Sequence, residues 1–100
     1  MSNVWGIPKD IEEAVLERDK HCVYCRCEFG SEQSRKRSWE HIVNDVRITS
    51  LDNIALCCVG CNASKGSKEL AAWFHSDNAR KRGITAETIT EVVKSALKQV

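Results

Sequence analysis

The sequence has few of the features that mark non-globular or membrane proteins. It contains one proline and five glycines in 100 residues, too few for a collagen-like or low-complexity chain. No apolar run is long enough to span a membrane, and residues 1–10 lack the basic and apolar regions of a secretory signal. We therefore expect a cytoplasmic protein with no membrane partner, in a compartment where thiols stay reduced.

An excess of charge of one sign is also missing. The formal net charge is +1, so any attraction to nucleic acid has to be local rather than spread over the whole protein. Two basic triplets could supply such an attraction, or they are ordinary solvated surface runs. They are Arg35-Lys36-Arg37 and Arg80-Lys81-Arg82.

Cysteine, in contrast, is abundant. The chain has six cysteines and the length of a single domain, and so short a chain buries too little surface for its core to carry stability alone. We therefore expect a covalent or metal staple. A reducing compartment favours metal over disulfide.

Two pairs of cysteines have the spacing of a zinc site. Two residues separate Cys22 from Cys25, and two separate Cys58 from Cys61. Such a turn lets both thiolates reach one tetrahedral ion, and two turns complete its ligands. We predict a structural Zn²⁺ site and a largely unfolded apo-protein, because structural zinc contributes roughly 10–16 kcal/mol in small peptides.

Other uses of the cysteines stay open. A Cys-x-x-Cys pair can be a redox couple, although the βαβ pattern that usually accompanies one is missing here. Cys27 and Cys57 lie beside the two pairs. Either could substitute as a ligand, or both are buried or idle thiols.

The helical pattern predicts one domain over residues 1–100 with helices at both ends. Pro8 and the acidic residues after it predict a first helix over about residues 8–19. Apolar residues at helical spacing predict two further helices, over about residues 67–82 and 85–99.

The middle of the chain, about residues 20–66, carries the predicted zinc site and a hairpin. Residues 39–43 and 54–58 are short, apolar and β-prone, and the connector between them contains Asn44-Asp45 and other turn formers. We interpret the whole as a small zinc-stapled α+β domain.

Several motifs follow one another around the cysteine pairs at a specific order and spacing. They are Arg18-Asp19, Cys22-x-x-Cys25, Glu40-His41-Ile42, Asn53 five residues before Cys58, and Cys61-Asn62-x-x-Lys65-Gly66. Over about residues 15–67 this arrangement resembles the HNH endonuclease family. The resemblance implies a ββα-metal fold, in which a hairpin and the helix after it surround one divalent cation.

The resemblance also implies a role for each matching residue. His41 corresponds to the general base and Asn53 to the residue that orients its imidazole. Glu40 and Asn62 correspond to the ligands of a catalytic Mg²⁺ or Mn²⁺ ion. The chemistry agrees, because a histidine can accept a proton from water near neutral pH. A closed four-cysteine zinc site has no open position for catalysis, so two different ions are implied.

The sequence departs from the family at two places. Glu40 stands where the family usually has aspartate, and the proline that often follows the His-Ile pair is missing. In addition, neighbouring residues of a regular strand face opposite sides of the sheet. Glu40 and His41 can therefore converge on one phosphate only if the strand ends, bulges or twists strongly there, and we expect an irregularity at this point.

Together these features predict a DNA endonuclease that nicks one strand per site, as a monomer or as a homodimer. Contacts to the DNA backbone are predicted from Arg35, Lys36, Arg37 and Lys65. The alternative is a zinc-stapled adaptor that binds nucleic acid, with a catalytic site that has decayed through Glu40.

Overall fold

The computed structural model describes residues 7–43 and 50–98. These ranges form an α+β fold with five α-helices, one short 3₁₀ turn and one two-stranded antiparallel sheet. In chain order the elements are α1 (Lys9–Arg18), the 3₁₀ turn (Gln33–Arg35), β1 (Arg37–His41), β2 (Ile54–Cys58), α2 (Val59–Lys65), α3 (Leu70–Phe74), α4 (Asp77–Lys81) and α5 (Glu91–Lys98). Within the described ranges, no helix has the length and apolar character needed to cross a membrane.

The hairpin is regular where its two strands pair. Arg37 lies opposite Cys58 and His41 lies opposite Ile54, with every residue between them in register. The first strand was predicted over residues 39–43, but it begins two residues earlier and ends at His41, where the chain bends. The expected irregularity is therefore the end of the strand rather than a bulge between Glu40 and His41. The predicted turn at Asn44-Asp45 lies outside the described residues.

The two faces of the hairpin pack against different parts of the chain. Trp39, Ile54 and Leu56 join a cluster that includes Val15 of α1. The other face, with Ala55 and its neighbours, belongs to a second cluster that contains the cysteines and the C-terminal helices. The sheet is thus covered on both sides, which explains why all five residues of β2 are buried.

Arg18 and Asp19 fix α1 to the outer edge of β2. The Arg18 guanidinium donates to the carbonyls of Leu51, at 2.7 Å, and Ile54, at 2.8 Å. The Asp19 carboxylate receives two hydrogen bonds from Arg18 and a third from the Leu56 backbone N–H at 3.0 Å. Val23 N–H donates to the Leu56 carbonyl. Hydrogen bonds from the two side chains and from the cysteine turn therefore pair backbone groups at this edge of the sheet that would otherwise have no partner strand.

Helix α2 lies across β1 and starts immediately after β2. Asn62 donates through Nδ2 to the Ser38 hydroxyl at 2.5 Å and to the Trp39 carbonyl at 3.4 Å. One helical turn later, the Lys65 ammonium contacts the His41 carbonyl at 3.3 Å and the Glu40 carboxylate at 3.1 Å. One side of a short helix thus contacts four consecutive residues of β1.

The prediction of a single helix over residues 67–82 is wrong. The structure has two helices there, α3 and α4, separated at His75 and Ser76. The Ser76 hydroxyl accepts a hydrogen bond from Ala79 N–H at 3.2 Å and donates to the Trp73 carbonyl at 2.5 Å. Ser76 therefore caps α4 and also closes the end of α3. Because these hydrogen bonds fix the helix ends, the continuous apolar pattern does not produce a single helix.

The last helix was predicted over residues 85–99, but it begins at Glu91 and is described to Lys98. Residues 86–88 instead form a turn, in which the Thr88 hydroxyl bonds to both backbone groups of Thr85. Arg26 donates to the Thr88 carbonyl at 2.6 Å, and Thr90 N–H donates to the Val23 carbonyl at 3.0 Å. These bonds hold residues 88–90 against the first cysteine turn, so the helix cannot start earlier.

Candidate metal centre and hairpin site

Four cysteines from the two ends of the central segment come together in one cluster. The sulfur atoms of Cys22, Cys25, Cys58 and Cys61 all lie within 4.8 Å of one another. Sulfur ligands at about 2.3 Å from a tetrahedral zinc ion are about 3.8 Å apart. The Cys25 and Cys58 sulfurs, at 3.9 Å, have that separation. The cluster can therefore hold a metal ion such as zinc.

The first cysteine turn depends on an unusual backbone conformation. Arg26 N–H donates to the Cys22 carbonyl and Cys22 N–H to the Cys27 carbonyl, which curls the chain so that both thiols face the same point. Arg26 itself has φ 66°, a left-handed conformation that costs a non-glycine residue free energy. Its side-chain hydrogen bond to Thr88 offsets part of that cost, because it fixes the turn to the C-terminal segment.

The second cysteine turn is the start of α2. Cys58 is the residue before the helix, and its sulfur accepts a hydrogen bond from Cys61 N–H at 3.4 Å. The strand β2 therefore delivers one thiol at its last residue, and the first helical turn delivers the other. Continuity from strand to helix fixes both sulfurs without an intervening loop.

Arg82 supplies positive charge to the sulfur cluster. Its Nε lies 3.4 Å from the Cys61 sulfur and its Nη2 lies 3.7 Å from the Cys58 sulfur. These contacts raise the pKa of Arg82. Four thiolates around Zn²⁺ would carry a net charge of −2, so the guanidinium reduces the charge that the site has to bear.

The four thiols share their protons unequally before metal binds. The hydrogen bond from Cys22 lowers the pKa of Cys25 to about 6. Hydrogen bonds from Cys22 and then Cys25 lower the pKa of Cys58. In the reverse direction, the thiol hydrogen bond to Cys25 is the largest cause that raises the pKa of Cys22. The lowered pKa values of Cys25 and Cys58 favour the thiolate form, which is the form that binds a cation.

Replacing Gly60 by alanine is expected to lower zinc affinity about 10-fold, the lower end of the effect of losing an outer contact to a metal ligand. An added Cβ at Gly60 would lie 2.4 Å from Arg82 Nη2. The guanidinium must then move away from Cys58 and Cys61. Competition for zinc with a chromophoric chelator measures the change.

Gly30→Ala is the matched control for this substitution, because a Cβ at Gly30 would meet nothing within 4 Å. Equal zinc affinity in the two variants would contradict a role for Arg82 at the sulfur cluster.

The two remaining cysteines lie close to the cluster but outside it. Cys57 is buried, and burial raises its pKa. Cys27 is half-buried, and burial together with the neighbouring Cys25 raises its pKa to about 12. Both therefore stay protonated at neutral pH, as expected of thiols that do not bind metal.

Glu40 is held in a buried polar contact on the side of the hairpin that faces α2. The Tyr24 hydroxyl donates to Glu40 Oε2 at 2.6 Å, and the Lys65 ammonium lies 3.1 Å from the same oxygen. The side chains of Lys65 and Glu40 are only 1% and 7% exposed. Trp73 packs edge-on against Tyr24, with ring centroids 4.9 Å apart, and closes this contact from one side.

Burial is the main influence on the titration of Glu40. Removal from water raises the pKa of its carboxyl, while the Lys65 charge and the Tyr24 hydrogen bond oppose the rise. Burial and the nearby Glu40 raise the pKa of Tyr24 well above its usual value. The phenol therefore keeps its proton and donates it in the hydrogen bond to Glu40.

The other predicted site residues occupy neighbouring positions. His41 is buried and is the last residue of β1. Because side chains alternate along a strand, the His41 side chain leaves the sheet on the face opposite Glu40. The Asn53 amide bonds to both backbone groups of Val43, at 2.7 Å and 3.2 Å, which closes the base of the hairpin connector. Its predicted role in orienting His41 stays a prediction. The Asn62 amide is directed at Ser38 and Trp39 rather than at Glu40.

The predicted DNA contacts fall into two groups. Arg35, Lys36 and Arg37 are exposed, and Val59 N–H donates to the Lys36 carbonyl, so this basic triplet lies beside the start of α2. Lys65 does not lie on the surface, because α2 turns it inward onto Glu40. A contact from Lys65 to DNA would require it to leave that ion pair.

Sequence reasoning missed two residues of these sites. Tyr24 lies inside the first Cys-x-x-Cys pair, and only the fold reveals that it reaches a carboxylate 16 residues away. Arg82 was assigned only to a basic triplet, yet it contacts two sulfurs of the cluster. Neither contact has a local sequence signal, although the glycine at position 60 leaves the space that Arg82 occupies.

Comparisons with protein-family models, with curated proteins and with solved structures find no match.

Of these two sites, the sulfur cluster is the one whose donor atoms fit a metal ion. Four clustered thiols suit zinc. At Glu40 one carboxylate oxygen already receives a phenol and an ammonium, whereas Mg²⁺ and Mn²⁺ need several free oxygen ligands. As it stands, the hairpin site does not fit a second, divalent ion.

Proposed function

We propose that this protein is a zinc-stapled nuclease of the HNH type that hydrolyses phosphodiester bonds in DNA, with His41 as the general base. The observation that carries the proposal is the contact between β1 and α2. A hairpin followed at once by a helix brings Glu40, the backbone of His41 and Asn62 to the β1–α2 contact, next to the sulfur cluster. They are three of the four residues to which the motif resemblance assigns a catalytic or metal-binding role, the fourth being Asn53.

His41 is the residue that the proposed hydrolysis requires as its general base. It is the last residue of β1, before the chain bends, and its side chain is buried. An imidazole can take the proton of an attacking water near neutral pH. Lys36 and its basic neighbours, at the start of α2, would attract the phosphate backbone of DNA.

Nicking of supercoiled plasmid by the zinc-loaded protein, with added Mg²⁺ or Mn²⁺, tests this proposal. His41→Ala is expected to lower the nicking rate at least about 100-fold, because a general base contributes that much or more. Zinc content and far-UV circular dichroism establish that the variant is folded. If the buried position does not tolerate alanine, His41→Gln serves the same purpose.

His75→Ala is the control, because His75 is exposed and lies after α3. Nicking that survives in folded His41 variants would reject the base assignment. Nicking lost equally in the His75 variant would show that the assay reports something other than His41.

One observation favours a second function, a zinc-stapled adaptor that binds nucleic acid without cutting it. The ion pair with Lys65 gives Glu40 a structural partner, and such a pair needs no catalytic explanation. Absence of nicking by the wild type, together with DNA binding that weakens steeply with salt, would favour the adaptor.

A further inference from the structure

Cys25 and Cys27 are the two cysteines that lie closest to the surface. Both are half-buried, whereas the other four cysteines are buried. Cys25 belongs to the four-sulfur cluster and Cys27 does not, yet the two side chains lie close enough to interact. A predicted metal ligand therefore meets a thiol from outside the metal site at the most exposed corner of the cluster.

The backbone between these two cysteines has the shape that a disulfide needs. Arg26 separates them, and its φ of 66° is left-handed. A helical conformation of either hand places the Cα atoms on its two sides roughly 5.4 Å apart, well inside the range of about 4.4–6.8 Å that disulfides span. An extended residue would place them roughly 6.6 Å apart, near the upper limit. Hydrogen bonds from Arg26 to the carbonyls of Cys22 and Thr88 hold the turn in this shape.

We propose that Cys25 and Cys27 are an oxidation site: a peroxide converts them to a disulfide, which removes Cys25 from the zinc site and releases the metal. The proposal concerns the zinc site alone and does not depend on nuclease activity. Because metal is expected to carry the stability of the fold, reversible oxidation of these two thiols would switch the domain between a folded and an unfolded state.

The oxidation has two steps. In the first, the Cys25 thiolate attacks one oxygen of hydrogen peroxide, so that an S–O bond forms, the O–O bond breaks and hydroxide leaves. In the second, the Cys27 sulfur attacks the sulfur of this sulfenic acid, so that the S–S bond forms and the S–O bond breaks. The departing hydroxide takes the Cys27 proton and becomes water. Two electrons pass from the two sulfurs to one peroxide.

Cys27 is better placed than Cys22 to supply the second thiol. Cys22 is fully buried and is itself one of the clustered sulfurs, so it would have to leave the metal before it could pair. Cys27 has no metal bond to break. We therefore expect the first disulfide to join Cys25 to Cys27 rather than to Cys22, the partner that the Cys-x-x-Cys spacing would favour.

Oxidation of the zinc-loaded wild type with hydrogen peroxide tests the proposal. A chromophoric chelator measures released zinc, N-ethylmaleimide blocks the remaining thiols, and mass spectrometry of unreduced tryptic peptides identifies the disulfide. Trypsin cleaves after Arg26, so the expected product is a cross-link between peptides 21–26 and 27–35, with the maleimide on Cys22. One zinc should be released per cross-link, and dithiothreitol should restore both the thiols and zinc binding.

Other products would contradict this assignment. A first disulfide that joins Cys22 to Cys25, Cys58 to Cys61, or Cys27 to a residue other than Cys25 would overturn the proposal. So would release of zinc without the cross-link, or a cross-link that forms while zinc stays bound.

Cys27→Ser tests whether Cys27 is the thiol that consumes the sulfenic acid. Without Cys27 the sulfenic acid at Cys25 should last longer, because an adjacent thiol reacts as though it were present at very high concentration. Dimedone, a reagent for sulfenic acids, should therefore label Cys25 at least about 10-fold more in this variant than in the wild type. Zinc content before oxidation establishes that the variant is folded.

Cys57→Ala is the matched control, because it removes the other cysteine outside the cluster. Its dimedone labelling should equal that of the wild type. Equal labelling of Cys27→Ser and the wild type, or labelling raised as much in Cys57→Ala, would contradict the role of Cys27. The disulfide assignment in the wild type needs neither variant.

Discussion

Replacing Cys22 by serine is expected to release zinc and unfold the domain. The Cys22 sulfur is fully buried in the cluster and joins the first cysteine turn to the start of α2. Binding of structural zinc contributes roughly 10–16 kcal/mol, as much as the whole stability of an ordinary domain, which is about 5–15 kcal/mol. Metal analysis should fall from one zinc per chain to none, and far-UV circular dichroism should lose most of its helical signal.

Cys27→Ser is the control for the zinc prediction, because Cys27 is half-buried and lies outside the four-sulfur cluster. It should keep one zinc per chain and a folded spectrum. The ligand assignment fails if Cys27→Ser loses the metal while Cys22→Ser retains it. A zinc-free wild type that stays folded would contradict the claim that metal carries the stability.

The sulfur cluster could be predicted from sequence because its geometry is local. A spacing of two residues places both sulfurs of a turn on the same side of the backbone, whatever the rest of the chain does. The hairpin could be predicted for a similar reason, since apolar, β-prone segments and a polar connector are properties of short stretches. The structure brings together the cysteines at 22, 25, 58 and 61 accordingly.

Helix boundaries in the C-terminal third could not be predicted, because contacts with distant residues decide them. The Arg26 side chain donates a hydrogen bond to the Thr88 carbonyl, and Thr90 N–H donates to the Val23 carbonyl. Residues 85–90 are therefore not part of the last helix. At Ser76 a cap interrupts an apolar pattern that reads as continuous. Periodicity locates the buried face of a helix but does not locate its ends.

The contacts of Glu40 could not be predicted from the sequence either, because they too depend on residues far apart along the chain. The motif resemblance assigned Glu40 to a metal ion and Lys65 to DNA, which treats them as independent surface groups. Lys65 lies one turn after Asn62 on α2, and α2 lies on β1. Whether that lysine points outward or onto Glu40 depends on how the helix is rotated about its axis. Contacts with distant residues fix that rotation, among them the bonds of Asn62 to Ser38 and of Trp73 to Ser64.

Breaking the Glu40–Lys65 ion pair is expected to have the second-largest effect on stability. Lys65→Met leaves a buried carboxylate without its cation, and removing one partner of a buried pair costs about 3–5 kcal/mol. Glu40→Gln/Lys65→Met removes both charges and should recover most of that loss. Urea unfolding of the zinc-loaded variants at one zinc concentration measures both values. Equal stability of the single and double variants would mean that the pair is not buried as described.

The pH dependence of that difference identifies its cause. Without Lys65, nothing charged opposes burial, so the pKa of Glu40 should rise further above its ordinary value. A carboxyl whose pKa is higher in the folded state contributes stability at low pH, and this contribution is lost as pH rises through the raised pKa. The stability gap between Lys65→Met and the double variant should therefore widen as pH increases and shrink as pH falls, because protonated glutamate resembles glutamine. Both variants carry the same zinc site, so its own titration cancels in the difference, provided the comparison stays at pH values where both retain zinc. A gap that does not change with pH would assign the loss to packing rather than to the charge of Glu40.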